Sequence, residues 1–421
     1  MDRSIFIIMD SNNRIEQLWA KIKKKLQPLI IILGVVLLLV ILLELSSFLT
    51  LAIYLGANSG AQDQRLDLNV FQTAWAEQYF KEFQEASVFE YASYLGFVRK
   101  PNYNGQYVNL NEHSFRKTVP SCPSAENKYW SIFTLGGSTM WGSGARDQGT
   151  IASLLAAELC RQNIPAVVTN LGESGYVSTQ ELIRLQLELK KNNHPHIVIF
   201  YDGFNDVYST FQNKEAGLPQ NVAKRETEFN IHQRFNPWGL TPHFNDIVER
   251  ILRKLLKENY PPLDDTLAQE TVESYIKNQE IAESLGEQFQ FKPFFYWQPA
   301  IFSKNELSDS EQKIALGEYM PQSYLKVTKE LFDREKTLLS QKTIDKTDFI
   351  NKAIDLTDIF DNHPETIYID WSHISEEGNA IIAKRIAEDV IKYVRENEKL
   401  INDEDEKAML KLFYENKIGK N

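Results

Sequence analysis

From Leu29 to Leu55 the chain carries one charged side chain, Glu44, and from Leu29 to Leu43 every residue except Gly34 is a large apolar one. A bilayer core is spanned by about 20 apolar residues in a helix, so this run is long enough to cross it. Upstream, Arg3, Arg14, Lys21, Lys23, Lys24 and Lys25 outnumber Asp2, Asp10 and Glu16. Basic residues before the span and few after it favour a cytoplasmic N-terminus, with everything beyond about residue 56 on the opposite side. The competing reading is a cleaved export signal processed at Ser59-Gly60-Ala61. Such signals carry an apolar region of only about 7 to 15 residues behind a shorter leader. Glu44 is costly at mid-bilayer and there would mark a partner helix, whereas a span starting at Leu29 puts it near the outer boundary, within reach of interfacial water.

The remainder is a globular sequence. With 421 residues, 43% hydrophobic and 12% aromatic, the chain can bury one large domain plus appendages. A net charge of −11 leaves no broad cationic surface, so nucleic acid is not an expected partner. Two cysteines, Cys122 and Cys160, are too few for a disulfide framework and are not spaced as a metal knuckle; whether they pair stays open.

Residues 1–28 read as a cytoplasmic leader, 29–55 as the membrane helix and 56–129 as an approach segment with a short helix over Asn69 to Phe83. Residues 130–395 read as the main domain and 396–421 as a charged tail. Within the main domain five short apolar runs have the look of strands: Trp130 to Leu135, Ala166 to Asn170, Ile197 to Tyr201, Phe291 to Trp297 and Thr366 to Ile369. Segments of helical period separate most of them, including Ile151 to Arg161, Gln180 to Lys190 and Glu376 to Val394. That alternation predicts an α/β fold, a parallel sheet with helices on both faces and reactive groups at the carboxyl ends of the strands. The interval 208–290 departs from the alternation and reads as a helical insertion able to shape or cover a site.

Four polar clusters follow four of those strands. They are Gly136-Gly137-Ser138-Thr139, Asn170-Leu171-Gly172-Glu173-Ser174-Gly175, Gly203-Phe204-Asn205-Asp206 and Asp370-Trp371-Ser372-His373. Acyl transfer needs a nucleophile, a base of near-neutral pKa, an anion to fix the base's tautomer and donors for the oxyanion. Ser138 can attack, His373 can take its proton and Asp370 can hold the imidazole. The Ser138 and Gly175 amides and the Asn205 side-chain amide can serve as oxyanion donors. Each cluster alone has a plainer explanation, since turns select Gly and Ser for backbone reasons and Asp370, Asn205 or Asp206 could simply cap a helix. The agreement of all four, in order and at strand ends, is what points to chemistry.

This order of blocks resembles the SGNH hydrolases, also called GDSL-type esterases and lipases, over about Trp130 to Val394, and in particular their membrane-anchored variants. The resemblance implies a flavodoxin-like three-layer fold with a five-stranded parallel sheet. It implies an ester-cleaving serine enzyme with Ser138, Asp370 and His373 as triad and Ser138, Gly175 and Asn205 as oxyanion donors. Trp297-Gln298-Pro299 and the run Asn111 to Arg116 also look like pieces of anchored members. The usual Gly-Asp-Ser is Gly136-Gly137-Ser138 here, so the support of the serine turn must differ.

The expected substrate is an O-acyl ester, with acetyl groups on an envelope or extracellular glycan as one class. Acyl transfer to a sugar hydroxyl and a non-catalytic glycan-binding role remain alternatives on the same fold. No cofactor is called for. The glycine-rich Gly136 to Gly144 lacks the spacing of a phosphate-binding or dinucleotide loop, so no nucleotide is expected. A metal held by Asp202, Asp206, Asp370 and His373 suits the neighbouring Ser138 and Asn205 less well than acyl chemistry.

Overall fold

Strand β3 (Trp130–Gly136) is buried along its whole length, as its position requires. In the computed structural model it lies inside a five-stranded sheet with order β4-β3-β5-β6-β7. The others are β4 (Ala166–Asn170), β5 (Ile197–Asp202), β6 (Lys292–Trp297) and β7 (Ile354–Asp355), and every pairing is parallel. Successive side chains leave a strand on opposite faces. Ile132, Ile197, Ile199 and Tyr201 thus enter one core with Ile151, Leu155, Ile382, Ile386 and Val390. Phe133, Leu135, Val198 and Phe200 enter the other with Leu182, Leu185, Leu189 and Ala282. The first face is covered by helices α4 (Ile151–Arg161) and α9 (Glu376–Glu396), the second by α5 (Ser178–Lys190) and α7 (Asp265–Phe289). This is the expected three-layer α/β arrangement.

The structure describes residues 3–58, 63–119, 129–222, 265–316 and 353–397, with isolated positions in the two longer intervals between them. Ser59-Gly60-Ala61, Cys122 and the tail beyond residue 397 lie outside the described residues. Cys160 is disulfide-bonded. By compactness the chain divides into two units, Met1–Ala61 with Ala223–Asn259, and Gln62–Val222 with Tyr260–Asn421.

In the first unit, α1 (Arg3–Asn58) is one continuous helix. The stretch Lys21–Ile53 is long and apolar enough to cross a membrane, and Leu29 to Leu39 present exposed side chains apart from Gly34. Glu44 has a partner from the same unit: its carboxylate accepts from the His243 and Phe244 amides and pairs with the His243 ring.

In the second unit, residues 63–119 share the hydrophobic core of the sheet domain. Helix α2 (Ala76–Ala86) starts later than the run Asn69 to Phe83 suggested, because Asn69–Phe71 forms a separate 3-10 turn. Its Tyr79 and Phe80 pack with Trp141 and Ile151. A hairpin, β1 (Phe89–Ala92) with β2 (Gly96–Arg99), follows.

Two expectations need correction. Residues Thr366 to Ile369 are not the fifth strand; that place belongs to β7. Ile367, Tyr368 and Ile369 are buried, which makes the run look strand-like. Their backbone is satisfied elsewhere: the Glu311 carboxylate accepts from the Ile367 and Tyr368 amides at 2.9 Å, and Ser375 N donates to Ile367 O. Nor is 208–290 wholly an insertion. Helix α7 carries buried Val272, Tyr275 and Ile276 and packs on α5 and β6 as the ordinary crossover before β6.

Candidate active site

Three strand ends and one loop meet at a cavity of about 530 Å³ lined by Ser138, Gly175, Asn205, Asp370 and His373. Ser138 opens the one-turn helix α3 (Ser138–Trp141) directly beyond β3. Behind it, the guanidinium groups of Arg99 and Arg116 both lie over the Trp141 ring, at 3.9 and 4.3 Å from its centre. Arg116 is itself paired with Asp147 at 2.7 Å, and Tyr79 accepts from the Gly144 amide at 2.7 Å. Residues upstream of β3 therefore brace the serine turn.

The His373 imidazole bridges the other two triad candidates. Its Nε2 lies 2.6 Å from Ser138 Oγ and its Nδ1 lies 2.6 Å from Asp370 Oδ2. The second carboxylate oxygen of Asp370 accepts from the Ser372 and His373 amides at 3.1 and 2.9 Å. Burial by itself would raise the Asp370 carboxyl. The His373 charge, its ring hydrogen bond, the Arg65 guanidinium and the His373 amide outweigh burial and hold the group well below the usual carboxylate range. Asp370 therefore stays ionised throughout the neutral range.

The Asp370 loop is not carried by a strand. It docks beyond β6, where Ile301 N donates to Trp371 O at 2.8 Å, and Thr139 Oγ1 reaches Ser372 O from the serine side. Glu311 on α8 (Asp309–Ala315) holds the backbone leading into it, and Lys304 neutralises that buried carboxylate at 2.7 Å. The cap of α9 is Ser375, whose hydroxyl accepts from Gly378 N. Asp370 is thus free of the capping role its position allowed.

Gly175 has φ +75°, a left-handed conformation that glycine adopts without strain, in the loop after β4. Asn205 lies in the first turn of α6 (Phe204–Asn213), whose cap is Gly203. Its amide nitrogen donates to Tyr176 O at 2.8 Å and its oxygen accepts from Gln220 Nε2 at 3.1 Å. An amide nitrogen has two hydrogens, so one remains beyond the bond to Tyr176, on a residue that lines the cavity. Asp206 accepts from the Ser178 amide and hydroxyl.

Asp202 and Asp206 do not join Asp370 and His373. They cluster instead with Glu181 in the interior, where burial raises Glu181 and Asp202 above their ordinary values, with Asp202 and Asp206 adding to the rise of Glu181 and Asp206 to that of Asp202. Among the described residues no group of three or more His, Cys, Asp or Glu converges as a metal cage.

Asp63, Gln64, Arg65 and Gln220 also line the cavity and escaped the sequence reading. Gln220 belongs to the expected insertion, where nothing in its surroundings marks it. Arg65 comes from the approach segment, and its Nη1 lies 3.8 Å from Asp370 Oδ2.

The sequence profile of the GDSL-like lipase/acylhydrolase family matches residues 132–386. The chain belongs to this family. It is an ester-bond hydrolase in an SGNH-type α/β fold, and the family region contains every site residue proposed from the sequence. Solved structures similar to the chain include an acetyl xylan esterase, AlAXEase, at 14% identity and TM-score 0.34, covering 62% of this chain and 99% of that one. An esterase, EstA, from Pseudoalteromonas sp. matches at 14% identity and TM-score 0.32, covering 63% and 98%. A putative lipolytic protein of the G-D-S-L family from Desulfitobacterium hafniense matches at 12% identity and TM-score 0.31, covering 61% and 98%. No curated protein sequence matches the chain.

Proposed function

We propose that the chain is a membrane-anchored serine esterase acting through an acyl-enzyme on Ser138. The observation that carries this reading is the unbroken hydrogen-bonded line Ser138 Oγ, His373, Asp370, with both ring nitrogens engaged at 2.6 Å. In this mechanism Ser138 Oγ attacks the ester carbonyl while its proton passes to His373 Nε2. The carbonyl oxygen becomes an oxyanion facing the Ser138 and Gly175 amides and the free hydrogen of Asn205 Nδ2. Collapse breaks the bond to the alcohol oxygen, which takes the proton from His373. Water, deprotonated by the same imidazole, then releases the acid and regenerates the serine.

Asp370 fixes the His373 tautomer with the proton on Nδ1 and stabilises the imidazolium. Asp370→Asn should lower kcat by roughly 10⁴, read from the turnover of a short-chain ester.

The substrate we favour is a short acyl ester, such as an acetyl ester, borne on a carbohydrate. Asp63, Gln64 and Gln220 offer polar contacts around the cavity and Phe204, Tyr208 and Trp371 offer aromatic faces. That mixture suits a sugar carrying a small acyl group better than a long alkyl chain. Residues 29–55 hold the enzyme in the membrane, residues 1–28 lie in the cytoplasm and the hydrolase domain faces the extracytoplasmic side. Purified enzyme is to be screened against acetylated glycans and long-chain esters with Ser138→Ala as blank. Turnover of the long-chain esters alone would overturn the substrate class. Products made with a sugar acceptor present separate hydrolysis from transfer, because one acyl-enzyme serves both.

A further inference from the structure

The GDSL region begins at residue 132, yet one charged group in the cavity comes from far upstream. Arg65 Nε and Nη2 form a bidentate pair with Asp63 at 2.9 and 2.8 Å, and Asp63 Oδ1 also accepts from the Arg65 amide at 3.0 Å. The guanidinium rests on Phe80 and Phe83, 4.9 and 5.3 Å from the ring centres, and both partners are only 16% exposed. The fork is thereby immobilised with its remaining nitrogen, Nη1, directed to Asp370 Oδ2, the oxygen that also receives His373 Nδ1. Asp370 then has two amides on one oxygen, and an imidazole and a guanidinium at the other. Rotation of its carboxylate would break contacts on both sides.

We infer that the Asp63–Arg65 pair is a positioning device for the Asp370–His373 dyad, with Arg65 fixing the carboxylate, and Asp63 holding the guanidinium and setting how much of its positive charge reaches the dyad. The inference rests on the serine-esterase reading. Arg65 is a cation within ion-pair reach of Asp370, so removing its charge and removing that of Asp63 change the field at the dyad in opposite directions. Asp63 offsets part of that field. Other charges nearby are accounted for: Tyr79 on α2 is buried and pushed above its usual value by that burial. Arg146 and Glu376, just beyond His373, neutralise each other at 2.7 Å. A role in packing alone would make the two charges of the pair equivalent, because removing either breaks the same salt bridge. The electrostatic role makes them opposite.

The test uses the full-length chain in detergent, reading the rate of Ser138 labelling by a fluorophosphonate and kcat/KM for a short-chain ester against pH. The acidic limb reports the free-enzyme base. Arg65→Gln should move that limb to higher pH by about 0.5 to 1 unit, a fraction of the shift expected for a direct ion-pair partner. Asp63→Asn, which keeps the guanidinium and its aromatic contacts, should move it to lower pH. The double variant should return near the wild-type position, and Arg65→Lys should retain most of it. Shifts of Arg65→Gln and Asp63→Asn in the same direction, or a lower rate with an unmoved limb in both, overturn the inference. If Arg65→Gln does not fold, Asp63→Asn decides alone by the sign of its shift. An unlabelled wild-type enzyme would be a different failure, that of the esterase reading itself.

Discussion

Gly137 packs so closely against the side-chain amide of Asn205 that a β-carbon at 137 would overlap its nitrogen. The GDSL family's usual residue before the serine is an aspartate, which this packing cannot admit while Asn205 keeps its place. The glycine and the asparagine are therefore one feature, in which a bare backbone lets the proposed oxyanion donor stand against the serine turn.

Gly137→Ala tests that relationship. The backbone at 137 has φ −76°, open to alanine without strain, and the atom in the way is the end of a movable side chain. Unfolding free energy should change by less than about 1 kcal/mol. Displacement of Asn205 should lower kcat by roughly 10² to 10³, the range for one lost oxyanion donor. Unchanged kcat would separate Gly137 from the oxyanion site.

Gln220 is expected to act through Asn205. Gln220→Ala removes a neutral hydrogen bond worth about 1 kcal/mol, so kcat should fall by about fivefold with KM for a short-chain ester little changed. A loss in the Asn205→Ala background as large as in wild type would show that Gln220 works independently.

The interior carboxyls give a stability signature. Glu181 and Asp202 are raised above all by burial, with Asp206 adding to both, so the folded state holds protons that the unfolded chain releases near pH 4. Their contribution is fully present below that unfolded value and lost as pH rises through the raised folded values. The melting temperature should therefore decline between about pH 5 and pH 9, and Glu181→Gln should flatten the decline. A decline of the same slope in Glu181→Gln would mean that other groups cause it.

Much of this fold is legible in the chain because buried parallel strands must be apolar on both faces. The runs at 130, 166, 197 and 291 stand out for that reason, and each occurs as a strand of the sheet. Burial, however, marks more than strands. Ile367, Tyr368 and Ile369 are as buried as any strand, but the first two amides are met by Glu311 and the third by the His373 carbonyl. The true fifth strand, Ile354–Asp355 at the edge beside β6, is two residues long and has no pattern to display. The same limit governs the site. Ser138, Gly175, Asn205, Asp370 and His373 sit in local motifs, while Arg65 and Gln220 reach the cavity only through the tertiary packing of α2 and of the segment after α6.

The basic leader and apolar run predict topology. A reporter fused after Asn421 should be active only when it works outside the cytoplasm. Activity of a cytoplasm-dependent reporter at that position would reverse the orientation.

Ser138 is the proposed nucleophile. Purified full-length enzyme treated with a fluorophosphonate should carry one adduct, located by peptide mass spectrometry on Ser138 and missing from Ser138→Ala. An adduct on another serine, or equal labelling of Ser138→Ala, would contradict it.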